Sequence, residues 1–120
     1  MNAGDRLHVH RADLTDKAQV TALIEAVNKR FKRIDILVNN AGANIKGRAI
    51  SDLNPEIWDR QVAINLNSAY YCIHGILPQM RDRRDGVIIN ISSTAGKRAY
   101  PLAGASYAAA KFGMIPSNEH

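Results

Sequence analysis

Two short aliphatic runs without regular polar alternation constrain this chain most: Ile34–Asn40 (IDILVNN) and Gly86–Ser93 (GVIINISS). A strand with one wet face alternates polar and apolar residues; a parallel strand covered on both faces does not. Both runs are therefore expected to be buried parallel strands. Leu7–Leu14 (LHVHRADL) is expected to be an earlier, short strand. Between the strands the apolar spacing becomes helical. Val20, Leu23, Ile24, Val27 and Phe31 form one stripe, preceded by Asp16 and Gln19 as a capping box. Lys29, Arg30, Lys32 and Arg33 gather where the helix dipole favours cations. Asn54-Pro55-Glu56 announces a second helix with a cap, a first-turn proline and an acid at the positive end. Trp58, Val62, Ala69, Ile73 and Ile76 share its apolar face, and Pro78 should end or kink it. Ser106–Met114 reads as a last helix, stopped by Pro116. The order strand, helix, strand, helix, strand, helix implies an α/β fold with a parallel sheet and right-handed crossovers.

Ligands of such sheets bind beyond the carboxyl ends of the strands. Those ends hold Asp13, then Asn39–Gly42, then Ser92 and Ser93. With 120 residues the chain is a single domain, 1–120. A 46% hydrophobic and 22% charged composition excludes a disordered tail and a coiled-coil rod. One cysteine, Cys72, excludes an internal disulfide and suits a reducing compartment. Without a membrane-length apolar run or a signal-peptide core near the start, the expected location is cytoplasmic.

Tyr107 and Lys111 stand four apart on the last helix and so share a face. A phenol ordinarily titrates near pH ~10, too high to exchange protons readily at neutrality. An ammonium beside a phenol favours its ionised form and makes a usable proton donor and acceptor. The Ser93 hydroxyl can hold a substrate oxygen while charge develops on it. Asn65 lies on the apolar stripe of the second helix, where an amide needs a hydrogen-bond partner.

Asn39-Asn40-Ala41-Gly42, Asn65, Ser92-Ser93 and Tyr107-x-x-x-Lys111 together resemble the short-chain dehydrogenase/reductase family, over about Leu7 to Ile115. The resemblance implies a partial Rossmann-type three-layer fold, a sheet flanked by helices, and NAD or NADP as cofactor. It implies an oxidoreductase that moves a hydride between NAD(P) and a small alcohol or carbonyl substrate. Tyr107 would be the general acid/base, Lys111 would bind the nicotinamide ribose, and Ser93 would orient the substrate. Asn65 would hold a proton-relaying water. Asp13, followed by Leu14, matches the adenine contact, and Asn40, Ala41 and Gly42 match the turn along the cofactor. Full-length relatives of this kind are expected to be homo-oligomers.

The sequence lacks the family's Gly-rich turn, Thr-Gly-x-x-x-Gly-x-Gly, which packs the pyrophosphate against a helix N-terminus. The chain is expected to be a fragment holding only the third, fourth and fifth strands of the order 3-2-1-4-5-6 and lacking the family's C-terminal substrate region. Leu7–Leu14 would then lack its neighbour, and Ile34–Asn40 would have an unpaired apolar edge. An inactive fragment that associates with a full-length relative is the alternative function.

Plainer readings stand beside these. Taken alone, Tyr107 and Lys111 are a solvated helix pair, and Ser92-Ser93 merely ends a strand. Asn39 and Asn40 suit turns. Asp13 is either a turn residue or a cofactor contact, and Asn65 either a structural or a catalytic amide. His8 and His10 share a strand face but lack an evident third metal ligand. Cys72 reads as a small buried hydrophobe. Asn90-Ile91-Ser92, a glycosylation sequon, falls inside an expected buried strand. The net charge of +5 is the one feature favouring nucleic acid, and few aromatics accompany Arg81, Arg83 and Arg84.

Overall fold

The computed structural model describes residues 4–44, 49–93, 95 and 104–114. After a 3-10 turn at Gly4–Arg6 come helix α1 (Lys17–Phe31), strand β1 (Ile36–Asn39) and helix α2 (Pro55–Val62). A π-helical segment (Ala63–Asn67), helix α3 (Ser68–Arg83), strand β2 (Val87–Asn90) and helix α4 (Ala105–Met114) follow. Pro116 lies outside the described residues.

The fold is α/β, with β1 and β2 paired in parallel from Ile36↔Val87 to Asn39↔Asn90. Both strands are shorter than their aliphatic runs, because other groups take the flanking backbone. The Ile34 N–H donates to Gln79 Oε1 (3.2 Å) and its carbonyl accepts from the Arg83 guanidinium, so α3 claims that residue before the ladder begins. Beyond β2, the Ile91 carbonyl accepts from Lys111 Nζ (3.2 Å) on α4. Arg33 holds the two strand entrances together through Asp35 and Asp85.

Leu7–Leu14 is not a strand. Its chain runs without a ladder, with Leu7 65% and Val9 84% exposed. A strand needs a partner for its backbone N–H and C=O groups. Among the described residues β1 and β2 pair only with each other. The expectation that both strand faces are covered also fails among these residues. Leu37, Asn39, Ile88 and Asn90 point to the packed side, while Ile36, Val38, Val87 and Ile89 are 43–60% exposed. Composition makes both faces fit for burial; it does not supply the layer that covers them.

Helix α1 starts where expected, with Asp16 accepting from the Ala18 N–H (2.9 Å). Gln19 does not close the capping box. Its Oε1 accepts from the Asp13 N–H (2.8 Å) and its Nε2 donates to Asp16 Oδ2 (3.2 Å), tying the preceding turn to the helix start. The helix ends at Lys32 in the left-handed conformation, its N–H on Asn28 O. α1 packs on α3, where a Cβ on Gly75 would overlap Ile24.

The second helix differs from expectation in two ways. Of the two effects expected of Pro78, ending the helix does not occur: α3 runs on to Arg83. The proline removes one N–H, and the carbonyl that loses its donor belongs to exposed His74. Its buried stripe is Gln61, Asn65, Ser68, Ala69, Cys72, Ile76 and Met80, whereas Trp58, Val62 and Ile73 are only half-buried. The π segment rotates the helix face, because Ser68 N–H bonds Ala63 O, one residue further back than in an α-helix. The Ser68 hydroxyl then satisfies the Ile64 carbonyl (2.7 Å). Asp16→Ala should lower unfolding free energy by about 1 kcal/mol in urea titration, the usual loss for an N-cap.

Candidate active site

The carboxyl ends of β1 and β2 meet the π segment and α4 at one cluster. Asn39 and Asn90, level in the strand register, are joined by a buried hydrogen bond (Nδ2 to Oδ1, 2.8 Å). Past Asn39 the chain turns through exposed Asn40, half-buried Ala41 and exposed Gly42 to Ala43. There Asn65 grips the backbone from both sides. Its Oδ1 accepts from Ala43 N–H (3.0 Å) and its Nδ2 donates to Ala43 O (2.8 Å). The same Nδ2 donates to Gln61 O (2.9 Å) and Gln61 Oε1 (3.2 Å). The side chain is fully buried, as an amide with this many partners can be. A relay water would be left with only the second lone pair of Oδ1.

Lys111 enters the same space from α4. A Cβ on Gly42 would lie 2.7 Å from Asn65 Oδ1 and 3.0 Å from Lys111 Nζ. Gly42, Asn65 and Lys111 are thus one contiguous group, which explains the glycine. Lys111 is 4% exposed. Its ammonium donates to Ile91 O, lies 3.8 Å from Met114 Sδ and sits 5.7 Å from the centre of the Tyr107 ring. Among the described residues no carboxylate pairs with it. Burial disfavours its charged form and pulls the pKa below the ordinary lysine value of 10.5.

The two serines differ in what they offer. Ser92 donates its hydroxyl proton to Lys111 O (2.8 Å), anchoring β2 to α4. Ser93 Oγ accepts from Ala95 N–H (3.2 Å), which leaves its own proton available to another oxygen. Asp13 and Leu14 stand apart, at the turn into α1. Asp13 Oδ1 accepts from the N–H (2.9 Å) and hydroxyl (2.7 Å) of Thr15, which hold the carboxyl below its usual range. None of its hydrogen bonds reaches the cluster, and Leu14 is half-buried in the same turn.

Sequence reasoning missed Gln61, although two amides four apart on a helix were a readable signal. It also missed the carbonyl of Ile91, which no side-chain pattern announces. Cys72 is buried, its thiol pushed up by desolvation. His8 and His10 rings lie 6.5 Å apart. No group of three or more His, Cys, Asp or Glu among the described residues could hold a metal, and no helix there is long and apolar enough to cross a membrane. A cavity of about 490 Å³ between α1 and α3, lined in part by Tyr70, Tyr71 and His74, contains none of the cluster residues.

The family model described as short chain dehydrogenase matches residues 1–117. The chain belongs to the short-chain dehydrogenase family. It is 41% identical over 115 residues to the D-beta-hydroxybutyrate dehydrogenase of Rhizobium meliloti (strain 1021), covering 96% of this chain and 43% of that protein. Against the 3-oxoacyl-[acyl-carrier-protein] reductase FabG of Staphylococcus aureus (strain Mu50) it is 36% identical, covering 88% of this chain and 42% of that one. A metagenomic short-chain oxidoreductase solved in complex with NADP superposes with a TM-score of 0.84 at 35% identity, over 92% of this chain and 49% of the other. The chain therefore spans less than half the length of these family members. The neighbours carry the Rossmann-type α/β architecture to which the paired strands and their helices belong.

Two outcomes follow from this packing. Gly42→Ala should destabilise the chain by roughly 1–3 kcal/mol in chemical denaturation, because Asn65 is held too firmly to make room. Lys111 binds its proton less well folded than unfolded. Between its lowered pKa and 10.5 the unfolded state holds more protons, so stability rises with pH there. The melting temperature of the wild type should gain on that of Lys111→Met as pH rises toward 10.5; parallel curves would show that the ammonium is not desolvated.

Proposed function

We propose that this chain carries the proton-transfer residues and the nicotinamide-side contacts of an oxidoreductase. The reaction moves a hydride between NAD or NADP and a small alcohol or carbonyl compound. One observation carries the reading: a buried ammonium with no carboxylate partner among the described residues sits beside the Tyr107 ring and against Gly42, at the carboxyl ends of parallel strands. Burying a lysine is unfavourable. A site that keeps one sets a positive charge 5.7 Å from the centre of the Tyr107 ring.

In this reading Tyr107 is the general acid/base and Lys111 supplies the adjacent charge. Ser93, whose hydroxyl donates to no partner among the described residues, holds the substrate oxygen; Ser92 is already engaged by Lys111 O. Asn65 acts through the backbone, holding the Gly42–Ala43 turn. The residues present suit a dinucleotide: Gly42 is exposed past β1, and without a side chain it lets the turn lie against Asn65 and Lys111. Lys111 would hold the nicotinamide ribose, Asn40, Ala41 and Gly42 would line the cofactor, and Asp13 with Leu14 would meet the adenine. Asp13 Oδ2 has no hydrogen-bond partner among the described residues and is open to one. When bound, the cofactor supplies or accepts the hydride; the chain positions and exchanges the proton. The NADP in the similar metagenomic oxidoreductase supports the cofactor class. Two relatives are named for opposite directions, a dehydrogenase and a reductase, and the reading covers both.

A second reading, non-catalytic association with a full-length relative, is favoured by the exposed aliphatic face of the sheet. One experiment separates the two. NADH and NADPH are titrated by nicotinamide fluorescence, and ketone-dependent cofactor oxidation is followed by absorbance. Without the Gly-rich turn, binding by this chain is expected to be weak; Lys111→Ala should weaken it further, and Tyr107→Phe should cut any turnover by about 10²–10⁴-fold while binding persists. Failure to bind either dinucleotide, with co-elution alongside a full-length relative, would favour the second reading.

A further inference from the structure

We propose that Gln61 is a positioning residue: it fixes which way the Asn65 carboxamide points, and through it the turn that faces Lys111. The proposal rests on the functional reading above for its consequence, not for its geometry. Gln61 sits in the last turn of α2, one residue ahead of Val62 and the π segment, and is 2% exposed. A buried glutamine is unfavourable unless its polar atoms are used.

Here its acceptors converge on one group. Asn65 Nδ2 has two protons and three oxygens around it: Ala43 O (2.8 Å), Gln61 O (2.9 Å) and Gln61 Oε1 (3.2 Å). Asn65 Oδ1 faces the opposite kind of partner, the Ala43 N–H (3.0 Å). Rotating the carboxamide by half a turn would place an oxygen against three oxygens and an NH₂ against an N–H. Every contact would become repulsive. Two of the oxygens are main-chain and indifferent to sequence. Gln61 Oε1 is the side-chain member of this lock, set at i−4 on the same helix face.

The direction matters because Oδ1 and Lys111 Nζ both border the site of an absent Cβ on Gly42, at 2.7 and 3.0 Å. With Oδ1 held there, a partial negative charge borders the ammonium and the Ala43 N–H is tied down. Without Gln61 Oε1 the carboxamide loses part of its directional preference, and the Ala43 turn loosens beside Lys111.

The test compares wild type with Gln61→Leu, which fills similar volume without an acceptor, and Gln61→Glu, which keeps one. Amide hydrogen exchange is measured at Ala43, with Ile88 in β2 as internal control, and NADPH affinity is measured in parallel. Gln61→Leu should speed Ala43 exchange roughly tenfold, the size expected from one buried hydrogen bond, with Ile88 unchanged. Gln61→Glu should restore slow exchange. If Gln61→Leu does not fold, Gln61→Met reads the same quantities. Unchanged Ala43 exchange, or Gln61→Glu exchanging as fast as Gln61→Leu, would overturn the proposal. Exchange needs no cofactor. A wild type that binds neither dinucleotide would therefore defeat the functional reading, while Ala43 exchange would still decide for or against Gln61. If wild type binds NADPH, weaker binding by Gln61→Leu with recovery in Gln61→Glu supports the proposal; equal binding by all three counts against it.

Discussion

The carboxamide of Asn65 is the interaction on which the rest of this arrangement hangs. It offers one acceptor and two donors, and each faces a complementary backbone or side-chain atom of Ala43 or Gln61. A regular α-helix would not aim it there. The π segment from Ala63 to Asn67 widens the helix by one residue and turns the buried face by part of a turn. The Ser68 hydroxyl satisfies the Ile64 carbonyl that the wider turn leaves without its usual donor. The irregularity is thus bonded, and it joins the long helix to the loop leaving β1.

Lys111 makes the equivalent junction on the other side. Its ammonium reaches the carbonyl just beyond β2, and its own carbonyl receives the Ser92 hydroxyl. α4 and β2 are therefore fastened twice through one residue. The cation is buried without a carboxylate among the described residues, so its charge is not cancelled locally. That charge lies beside the Tyr107 ring and against the tightly packed Gly42 turn. The same burial disfavours the charged lysine and so opposes folding at neutral pH.

The sheet tells the opposite story. Its inner face is covered by α3 and holds the Asn39–Asn90 pair, while Ile36, Val38, Val87 and Ile89 remain exposed. None of these four side chains is polar enough to prefer water. Their composition matches a position inside a larger α/β sheet, in keeping with family members more than twice as long. The alternation exposed, half-buried, exposed, buried along both strands reflects which side the helices occupy. It is not written in the residues themselves.

Much was legible in the residues alone. Periodicity placed α1, α4 and the two paired strands, and capping chemistry placed the starts at Asp16 and Asn54, because these depend on neighbours within a few positions. That Asn40, Gly42 and Ser93 follow the carboxyl ends of two strands, with Tyr107 and Lys111 on α4, was readable because paired parallel strands end on the same side. Three things were decided elsewhere. Leu7–Leu14 has strand composition but no ladder partner, and a lone strand cannot satisfy its backbone. Pro78 sits in a helix that continues past it, since packing of α3 outweighs one missing hydrogen bond. The π segment, the burial of Gln61 and the aim of Asn65 are found where the long helix meets the loop after β1. Local patterns settle what each segment can become; long-range hydrogen bonds, invisible to any short window of sequence, settle which atoms finally face one another.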